Sequence, residues 1–538
     1  MIFRRAWPLL GVVTGFAGLA AIVTWPQALH LSSQATPHQD VYFNMWRLRW
    51  FAHALVTPAR IFDANIFFPE RRTLALSDAM FVEGLLAAPL TWAGLPPVLV
   101  HNLTLLGAIA VCGATMFALV RYLTGSRGAG VIAGMVFAFG PYRFEHIMHM
   151  ELQWAMWSPL AFLALHRAYE TGQWRYGLAT GACVALQMLS SIYYGMFLSV
   201  LIALAALLWF ARERSAPAAA VIRVMAAGAV LAAIVCFVYS RPYARMHERV
   251  GDRPIGELSA FRATTGSYRS APPGNWLYGF TSNRGGAERH LFTGLTPLFL
   301  ALVALLLKVP TRRVIVYLLL LVAAFEMSFG LRGYLFTFLY DHVGPFRGLR
   351  ASARLGLFVL LFLGVLAGYG YAALAENRTR RWRIALVAAC VIAMLSEYRT
   401  RVTLVPFINV APPIYRMLAR FPRGVLAEFP VPRLNALPGN DAEYAYMSTF
   451  HWFPTVNGYS GFYPPSYLER LDRLRRFPAE SAMNQLRRDT VQYVIVHAAA
   501  YPPTELNEIR ARLRAEGQLV EIGSFEAADG PALLFRMR

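Results

Sequence analysis

Long apolar runs separated by short basic connections dominate the first 400 or so residues of the chain. A run of about 20 apolar residues is long enough to cross the hydrocarbon core of a bilayer as a helix. The pattern predicts about eleven such spans. They lie near residues 8–28, 98–120, 128–142, 152–169, 176–190, 193–211, 220–240, 294–308, 313–330, 355–375 and 381–397. The first has a basic start without a convincing small-residue cleavage site, so we interpret it as an uncleaved span.

The basic residues of the short loops predict the orientation. With a cytoplasmic N-terminus, five loops fall on the cytoplasmic side, as the positive-inside rule requires. They carry Arg121 and Arg127; His166, Arg167 and Arg175; Arg212, Arg214 and Arg223; Lys308, Arg312 and Arg313; and Arg378, Arg380, Arg381 and Arg383. The long segments 29–97, 241–293 and 331–354 then lie outside. Met80–Trp92 is also apolar, but counting it as a span would invert every later loop, so we predict a surface or re-entrant helix.

The tail from residue 400 onward has a different pattern. The runs VLAEFPV and VQYVIVHA are short and rich in β-branched residues, which predicts buried strands. The runs YLERLDRLRRF and PTELNEIRARLRAEG have helical periodicity with charged outer faces. A closing hairpin is predicted with its turn at Asp529-Gly530. The predicted fold is therefore mainly α: a polytopic transmembrane helical bundle over residues 1–399, followed by an extracytoplasmic α/β domain over residues 400–538.

Composition supports a membrane protein. The chain is 57% hydrophobic and 15% charged, whereas soluble domains are about 25% charged. A net charge of +21 would also suit nucleic-acid binding, but no basic, aromatic-interleaved soluble module accompanies it. Loop arginines that set topology and meet anionic lipid explain the charge better. Membrane lipids are thus predicted partners and nucleic acid is not. The four cysteines fall in predicted spans, which implies no disulfide framework.

The segment Ser32–Trp92 is too polar and aromatic to be a span and too long to be an ordinary connection. Asp40 precedes the predicted interfacial helix VYFNMWRLRW, and Asp is a good helix N-cap. An ionisable group at a membrane boundary is also a functional candidate. A carboxylate there can take the proton from a hydroxyl as that hydroxyl attacks a sugar carbon. Asp40 is therefore predicted as a cap, a catalytic base, or both, with Arg71 and Arg72 as cations for a phosphate.

One span, a long outer loop that opens with an acidic residue, and then paired spans with short loops resemble the C-type glycosyltransferase superfamily over about residues 1–240. Protein O-mannosyltransferases and lipid A aminoarabinose transferases are members. The motifs HQDVYFNMW, FDANIFFPERRTLALSD, FAFGPYRFEHIMHMELQW, SSIYYGMF and NGYSGFYPPSY are similar to bacterial membrane proteins labelled glycosyltransferase-like. The resemblance implies a sugar donor on polyprenyl phosphate, and it makes the first-loop carboxylate, here Asp40, the catalytic base.

The turn PYRFEHIMHMELQW, residues 141–154, holds further candidates. If 145–153 is helical, Glu145, His149 and Gln153 share one face. The resemblance implies a second carboxylate in this loop, for which Glu145 and Glu151 are both candidates, and His149 is a candidate for substrate binding. A metal ion held by His146, His149 and Glu145 is an alternative. Because no HExxH-type signature accompanies these residues, we predict no metal and no other cofactor. A polar turn at the membrane surface is the simpler interpretation.

The segment GPFRGLRASARLG, residues 344–356, places three arginines on the predicted outer side, against the charge bias. Arg350 and Arg354 are expected on one helical face at the start of a span, with Arg347 close by. A helix N-terminus and bidentate arginines suit a phosphate, although bulk anionic headgroups would suit them too. Tyr193 and Tyr194 read as interfacial anchors. The aromatic segment 451–467 suits either stacking on sugars or packing of the tail.

These features favour a glycosyltransferase with an inverting mechanism in the inner (plasma) membrane of a bacterium. It would move a sugar from a polyprenyl-phosphate donor to a lipid, glycan or protein acceptor at the outer face. The C-terminal domain would be periplasmic or extracellular. The alternative is a non-catalytic membrane protein, such as a flippase, a transporter or an assembly partner for cell-envelope glycans. Transport is disfavoured because mid-span charges are few and no inverted repeat is evident.

Overall fold

A computed structural model describes residues 2–58, 60–212, 215–282, 285–307 and 312–538. The loop cations Arg214 and Lys308 lie outside the described residues. The first half of the chain contains the helices α1 Ile2–Val23, α2 Gln39–Ala54, α3 Phe81–Trp92, α4 Pro97–Thr124, α5 Arg127–Phe139, α6 Pro141–Glu145, α7 Met150–Gln153, α8 Trp157–Thr171, α9 Trp174–Ser190, α10 Ile192–Arg212 and α11 Ala218–Val250.

The second half adds the helices α12 Ile255–Ala260, α13 Leu295–Leu306, α14 Arg312–Ser328, α15 Tyr334–His342, α16 Gly356–Ala375, α17 Arg380–Tyr398, α18 Pro413–Leu418, α19 Asp441–Met447, α20 Pro465–Leu474, α21 Glu480–Arg488 and α22 Pro503–Glu516. Each predicted span overlaps one of the helices α1, α4, α5, α8 to α11, α13, α14, α16 and α17. Helix α11 continues ten residues past the predicted end at 240, because the hydropathy signal stops there while residues such as Arg and Met still favour a helix.

Four helical segments of the described chain are long and apolar enough to cross a membrane by length and composition: Pro97–Thr124, Ile192–Trp209, Ala218–Val250 and Ser352–Ala375. Shorter apolar helices cover Leu10–Val23, Phe81–Trp92 and Leu295–Leu306. Phe81–Trp92 belongs to the segment predicted to lie at the surface, whereas Leu295–Leu306 belongs to a predicted span. The count of eleven spans and their orientation therefore stay predictions.

Contacts within the chain define two compact units. The first unit comprises residues 1–30, 103–240 and 252–403, and the second comprises residues 31–102, 241–251 and 404–538. The segment predicted as an outer loop and the C-terminal tail thus share one unit. Because the structure holds no bilayer, the predicted boundary between a membrane domain and an extracytoplasmic domain at residue 400 stays a prediction.

Helix α16 is the central element of the first unit. Its sequence is apolar on every side, and nearly every residue from Gly356 to Tyr371 is buried, as expected for a helix surrounded by others. Helices α5, α13 and α14 pack against it. Gly370 allows the closest approach, because a Cβ atom there would lie 1.8 Å from the carbonyl oxygen of Leu300 in α13. Helices α8, α9 and α10 pack against one another beside this core.

The second unit contains a four-stranded sheet. Its strands are β3 Val425–Phe429, β4 Val491–His497, β5 Leu519–Ala527 and β6 Gly530–Met537, in the order β3-β4-β6-β5; a separate small pair joins β1 Gln34–Ala35 to β2 Val405–Pro406. Strand β3 runs parallel to β4, and the other neighbours are antiparallel. The predicted strands lie where the pattern placed them, and the hairpin turn lies at Ala528-Asp529, one residue before the predicted Asp529-Gly530. Gly530 has φ +121°, a conformation that glycine adopts without strain.

Helix α2 joins the Ser32–Trp92 segment to the rest of the second unit. Most of its side chains are buried, because α3 packs against it on one side and α19 on another. Arg47 is one of the buried residues: its guanidinium donates to the carbonyl oxygen of Asp78 at 2.6 Å and to Asn44 Oδ1 at 2.5 Å. Helix α2 is therefore part of a packed core, and its position at a membrane interface stays a prediction.

Candidate functional site

The carboxylate of Asp40 lies at the start of α2, in the second unit. The prediction that Asp40 caps this helix is wrong by two positions, since His38 is the N-cap and its Nδ1 accepts the Asp40 amide at 3.1 Å. Asp40 is instead an acidic residue of the first turn, where the helix dipole favours a negative charge. Its side chain is 16% exposed. The N-cap is thus His38, and the Asp40 carboxylate is still reachable from outside.

Tyr459 holds this carboxylate from a distant part of the chain. The hydroxyl of Tyr459 donates to Asp40 Oδ1 at 2.5 Å, across 419 residues of sequence. The Nδ1 atom of His38 lies 3.4 Å from the other carboxylate oxygen. Sequence reasoning did not identify Tyr459, although the aromatic segment that contains it stood out by composition.

Arg71 and Arg72 belong to the same unit. Arg71 is exposed and Arg72 is half-buried. The Arg72 amide donates to Asp63 Oδ1 at 2.8 Å, so Asp63 fixes the backbone at this point. The structure therefore leaves both guanidinium groups near the surface of the second unit.

The remaining predicted residues lie in the first unit, around the turn between α5 and α8. The continuous helix expected over 145–153 does not form, because α6 ends at Glu145 and α7 begins at Met150. The side chains of Arg143 and Gln153 stabilise the break between the two helices. The Arg143 guanidinium donates to the carbonyl oxygen of Gln153 at 3.0 Å, and the Gln153 amide donates to the carbonyl oxygens of Arg143 at 3.1 Å and His146 at 2.8 Å. Both side chains are buried, so they define the shape of this turn.

An ionic cluster forms beside this turn from Glu145, His146, Glu288, His290 and Arg354. His290 Nδ1 lies 2.9 Å from Glu145 Oε1. Arg354 donates through Nε and Nη2 to Glu288 Oε1, at 2.9 Å in each case. His146 Nε2 lies 3.7 Å from the other oxygen of Glu288. Neither Glu288 nor His290 was identified from the sequence, since the segment 241–293 carries no motif that singles them out.

Burial sets the charge states of the cluster. Burial lowers the pKa of His146 to about 3, so its imidazole is neutral. Burial alone would raise the pKa of Glu288, but the charge and hydrogen bond of Arg354, together with His146 and His149, hold this pKa below its ordinary value. Glu288 and Arg354 thus form a charged pair inside the protein, with 8% and 5% of their surfaces exposed.

His149 and Glu151 flank the cluster. His149 Nδ1 lies 3.4 Å from His146 Nδ1. Glu151 is buried in α7 and lies within electrostatic range of Arg354. Among the described residues, no group of three or more His, Cys, Asp or Glu side chains is arranged to hold a metal ion. The trio His146, His149 and Glu145 is therefore not assembled as a ligand set, because Glu145 bonds to His290.

The three predicted arginines are separated in the structure. Arg350 and Arg354 do not share a helical face as predicted, because α16 begins only at Gly356 and Arg354 lies in a short 3-10 turn before it. Arg350 lies over the ring of Phe261 at 5.1 Å. Arg347 is exposed and donates to the carbonyl oxygens of Tyr340 and Asp341 at the end of α15.

Tyr193 connects two of these arginines, and its interfacial position stays a prediction. Its hydroxyl accepts the Arg350 amide at 3.1 Å, and the Arg354 guanidinium lies over its ring at 4.6 Å. Tyr194 is fully buried. Arg253 belongs to the same group, since burial, with the like charges of Arg350 and Arg354, lowers its pKa to about 10. Arg253 also pairs with Glu257 at 3.3 Å, and it was not identified from the sequence.

Comparison with solved structures identifies the fold. The chain is similar to the arabinofuranosyltransferase AftD from Mycobacteria, with a TM-score of 0.57, 14% identity, and coverage of 99% of this chain and 40% of AftD. It is also similar to ArnT from Cupriavidus metallidurans, with a TM-score of 0.50, 12% identity, and coverage of 98% of each chain. The chain therefore spans less than half the length of AftD. No protein-family model and no curated protein sequence matches it.

These two similarities confirm the predicted resemblance to the C-type glycosyltransferases at the level of the fold. A fold hosts many chemistries, so the activity has to be argued from the residues of the site.

Proposed function

We propose that this protein is an inverting glycosyltransferase that takes a sugar from a polyprenyl-phosphate donor and transfers it to an acceptor at the outer face of a membrane. The observation that carries the proposal is the carboxylate of Asp40: partly exposed, relieved of helix capping, and held by a hydrogen bond from Tyr459. The shared fold supports the same assignment. The acceptor is a lipid, a glycan or a protein.

Asp40 acts in this proposal as the general base. The acceptor hydroxyl attacks the anomeric carbon, its proton passes to Asp40, and the bond from that carbon to the phosphate oxygen breaks. One displacement inverts the configuration. A base with a fixed orientation is suited to this step, because proton transfer requires the acceptor hydroxyl within hydrogen-bond reach of a defined oxygen.

Negative charge grows on the departing phosphate, and fixed cations stabilise it. We propose Arg350 as one such cation, together with Arg253, which the structure adds to the predicted set. Arg354, Arg347, Arg71 and Arg72 remain proposed phosphate contacts. Of these, Arg354 already has a buried partner in Glu288, so its role needs a separate test.

The second acidic role also remains a proposal. Glu145 and Glu151 are the two candidates in the turn between α5 and α8, with His149 as a proposed substrate contact. Glu145 is half-buried and bonded to His290, whereas Glu151 is buried in α7. Glu145 is therefore the more accessible of the two carboxylates. We place the protein in the inner membrane of a bacterium, with its N-terminus cytoplasmic and its C-terminal segment outside.

The test is sugar transfer by purified protein from synthetic polyprenyl-phosphate sugars, with Asp40→Asn and Asp40→Ala as variants. Asparagine keeps an oxygen that accepts from Tyr459 but cannot accept a proton. Losing general-base assistance typically costs about 10²–10⁴-fold in rate, while losing a first-turn charge costs about 0.3–1 kcal/mol in stability. Asp40→Asn should therefore be folded and inactive, and Asp40→Ala should be inactive and somewhat less stable.

Asp63→Asn is the matched control, because it changes a carboxylate of the same segment and keeps the oxygen that accepts the Arg72 amide. It should transfer sugar within about 2-fold of the parent, because asparagine keeps the hydrogen bond that fixes the backbone at Arg72 and only the carboxylate charge is lost. Full transfer activity in Asp40→Asn would contradict the proposed base. Absence of transfer from every polyprenyl-phosphate sugar, with donor binding also absent, would favour the non-catalytic alternative.

A further inference from the structure

The aromatic segment 455–467 supplies a hydrogen bond to the Asp40 carboxylate, and the proposed reaction gives this segment no part. The hydroxyl of Tyr459 donates a hydrogen bond to Asp40 Oδ1. The ring of Tyr459 also meets the ring of Phe43 edge-to-face, with centroids 5.1 Å apart. The phenol is therefore fixed at both ends, by its hydroxyl and by its ring.

Backbone hydrogen bonds fix the segment that carries Tyr459. The amides of Phe67 and Phe68 donate to the carbonyl oxygens of Asn457 and Thr455, at 2.9 Å in each case, and the Thr455 amide donates to the carbonyl oxygen of Asn65 at 2.8 Å. Gly458 follows at a point where a Cβ atom would lie 2.5 Å from the Phe67 ring. The position of Tyr459 is thus set by strand-like pairing with residues 65–68 and not by a mobile loop.

The side chain of Asn457 extends this support to the sheet. Its amide donates to the Glu428 carbonyl oxygen and to Asp441 Oδ1, at 3.0 Å in each case, and its Oδ1 accepts the Glu428 amide at 2.8 Å. Asn457 is buried. A residue two positions before Tyr459 is therefore anchored to strand β3, which makes the hydroxyl of Tyr459 a preorganised donor.

Few titratable groups surround the carboxylate. His38 lies before α2, and Arg47 of the same helix is within electrostatic range of Tyr459. Tyr463 is within range of both Asp40 and Asp441, which belongs to α19. Helix α3, which packs against α2, carries Glu83, a buried carboxyl. Tyr459 donates directly to one carboxylate oxygen of Asp40, and the Nδ1 atom of His38 lies 3.4 Å from the other.

We infer that Tyr459 is a positioning residue for the general base: its hydroxyl orients the Asp40 carboxylate toward the acceptor hydroxyl and stabilises its charged form. This inference rests on the proposed role of Asp40 and assigns a partner to it. The segment 455–467 is thereby part of the active site, although it lies near the other end of the chain.

Tyr459→Phe tests the inference, with Tyr463→Phe as the matched control. Both tyrosines are half-buried and lie four residues apart, but the Tyr463 hydroxyl has no hydrogen-bond partner among the described residues. A hydrogen bond donated to a carboxylate favours its charged form. Tyr459→Phe should therefore move the acid limb of the kcat/KM profile to higher pH by about 1–2 units, and lower kcat by about 10-fold through lost orientation.

The KM for the donor should stay within about 2-fold, since Tyr459 is assigned no donor contact. Tyr463→Phe should keep the parent pH profile. The same pH profiles should also be measured in an Asp441→Asn background, because this substitution removes the Asp441 carboxyl, a second nearby group that titrates. If Tyr459→Phe lowers activity without moving the acid limb, its role is structural and the inference is wrong. If Asp40→Asn itself is active, the proposed base fails, whatever Tyr459 does.

Discussion

The buried pair of Arg354 and Glu288 can be tested by a double-mutant cycle that separates a structural arginine from a phosphate contact. Both side chains are at least 90% buried, and two guanidinium nitrogens of Arg354 lie 2.9 Å from Glu288 Oε1. Removing one partner of such a pair typically costs about 3–5 kcal/mol, because the other charge is left buried and uncompensated. Removing both leaves no such charge.

Glu288→Gln and Arg354→Gln should therefore each destabilise the protein by about 3–5 kcal/mol. The double variant should be less destabilised than the sum of the two by about 2 kcal/mol or more, since contacting residues couple by up to about 3 kcal/mol. Equilibrium unfolding in mixed micelles, followed by tryptophan fluorescence, measures all four proteins. The pair Arg475–Asp472, which is exposed at 3.6 Å, is the control and should couple by about 0.5 kcal/mol or less.

Donor binding measured on the same proteins gives the second readout. If Arg354 also contacts the phosphate, both variants that lack it should bind a polyprenyl-phosphate sugar more weakly, and Glu288→Gln should not. If the double variant binds the donor as tightly as the parent, Arg354 is structural, and Arg350 with Arg253 is the next pair to replace.

Additive destabilisation in the double-mutant cycle would refute the charged pair itself. Because the pKa of Glu288 is held below its ordinary value, the contribution of the pair should be complete at neutral pH and decline only under acid conditions.

Two further predictions concern pH and topology. Burial raises the pKa of Asp441 to about 7, so the folded protein holds a proton that the unfolded chain loses near pH 4, and stability should fall as pH rises from about 4 to about 7. Asp441→Asn should remove this dependence of stability on pH, and at pH 8 it should be more stable than the parent by up to about 4 kcal/mol. Equilibrium unfolding at pH 5 and pH 8 measures the difference, and an equal effect of the substitution at the two pH values would contradict the prediction. A phosphatase reporter fused after Arg538 should be active only if the C-terminus is outside, and cytoplasmic activity would overturn the predicted orientation.

The helical elements could be predicted from sequence because they depend on local pattern. An apolar run long enough to span a bilayer is also a helix, so each predicted span overlaps a helix of the structure. The strands β3 and β4 were predicted for a related reason, since short runs of β-branched residues are typical of strands. Helix α11 shows the limit of prediction from hydropathy: its last turns are polar, so the hydropathy signal ends before the helix does.

The break between α6 and α7 could not be predicted, because it depends on side chains that bond to backbone atoms ten residues away. Residues 145–153 have an acceptable helical pattern, and propensity alone favours a helix. The reciprocal bonds of Arg143 and Gln153 satisfy carbonyl groups that a continuous helix would satisfy itself. Tertiary contacts therefore override a weak local preference.

The partners of the predicted site residues were missed for a different reason. Asp40, Glu145 and Arg354 were all identified as candidates from the type of residue and its position near a predicted span. Their partners Tyr459, His290 and Glu288 lie 419, 145 and 66 residues away. Tyr459 falls in the motif NGYSGFYPPSY, but nothing in that motif points to Asp40, and the segment of His290 and Glu288 carries no motif. Sequence pattern predicts which groups carry charge, but only folding decides which charges are already paired. That distinction matters for function: a paired arginine such as Arg354 offers a ligand less than its charge suggests, whereas the Asp40 carboxylate, which accepts a hydrogen bond from a phenol, is held charged and in one orientation.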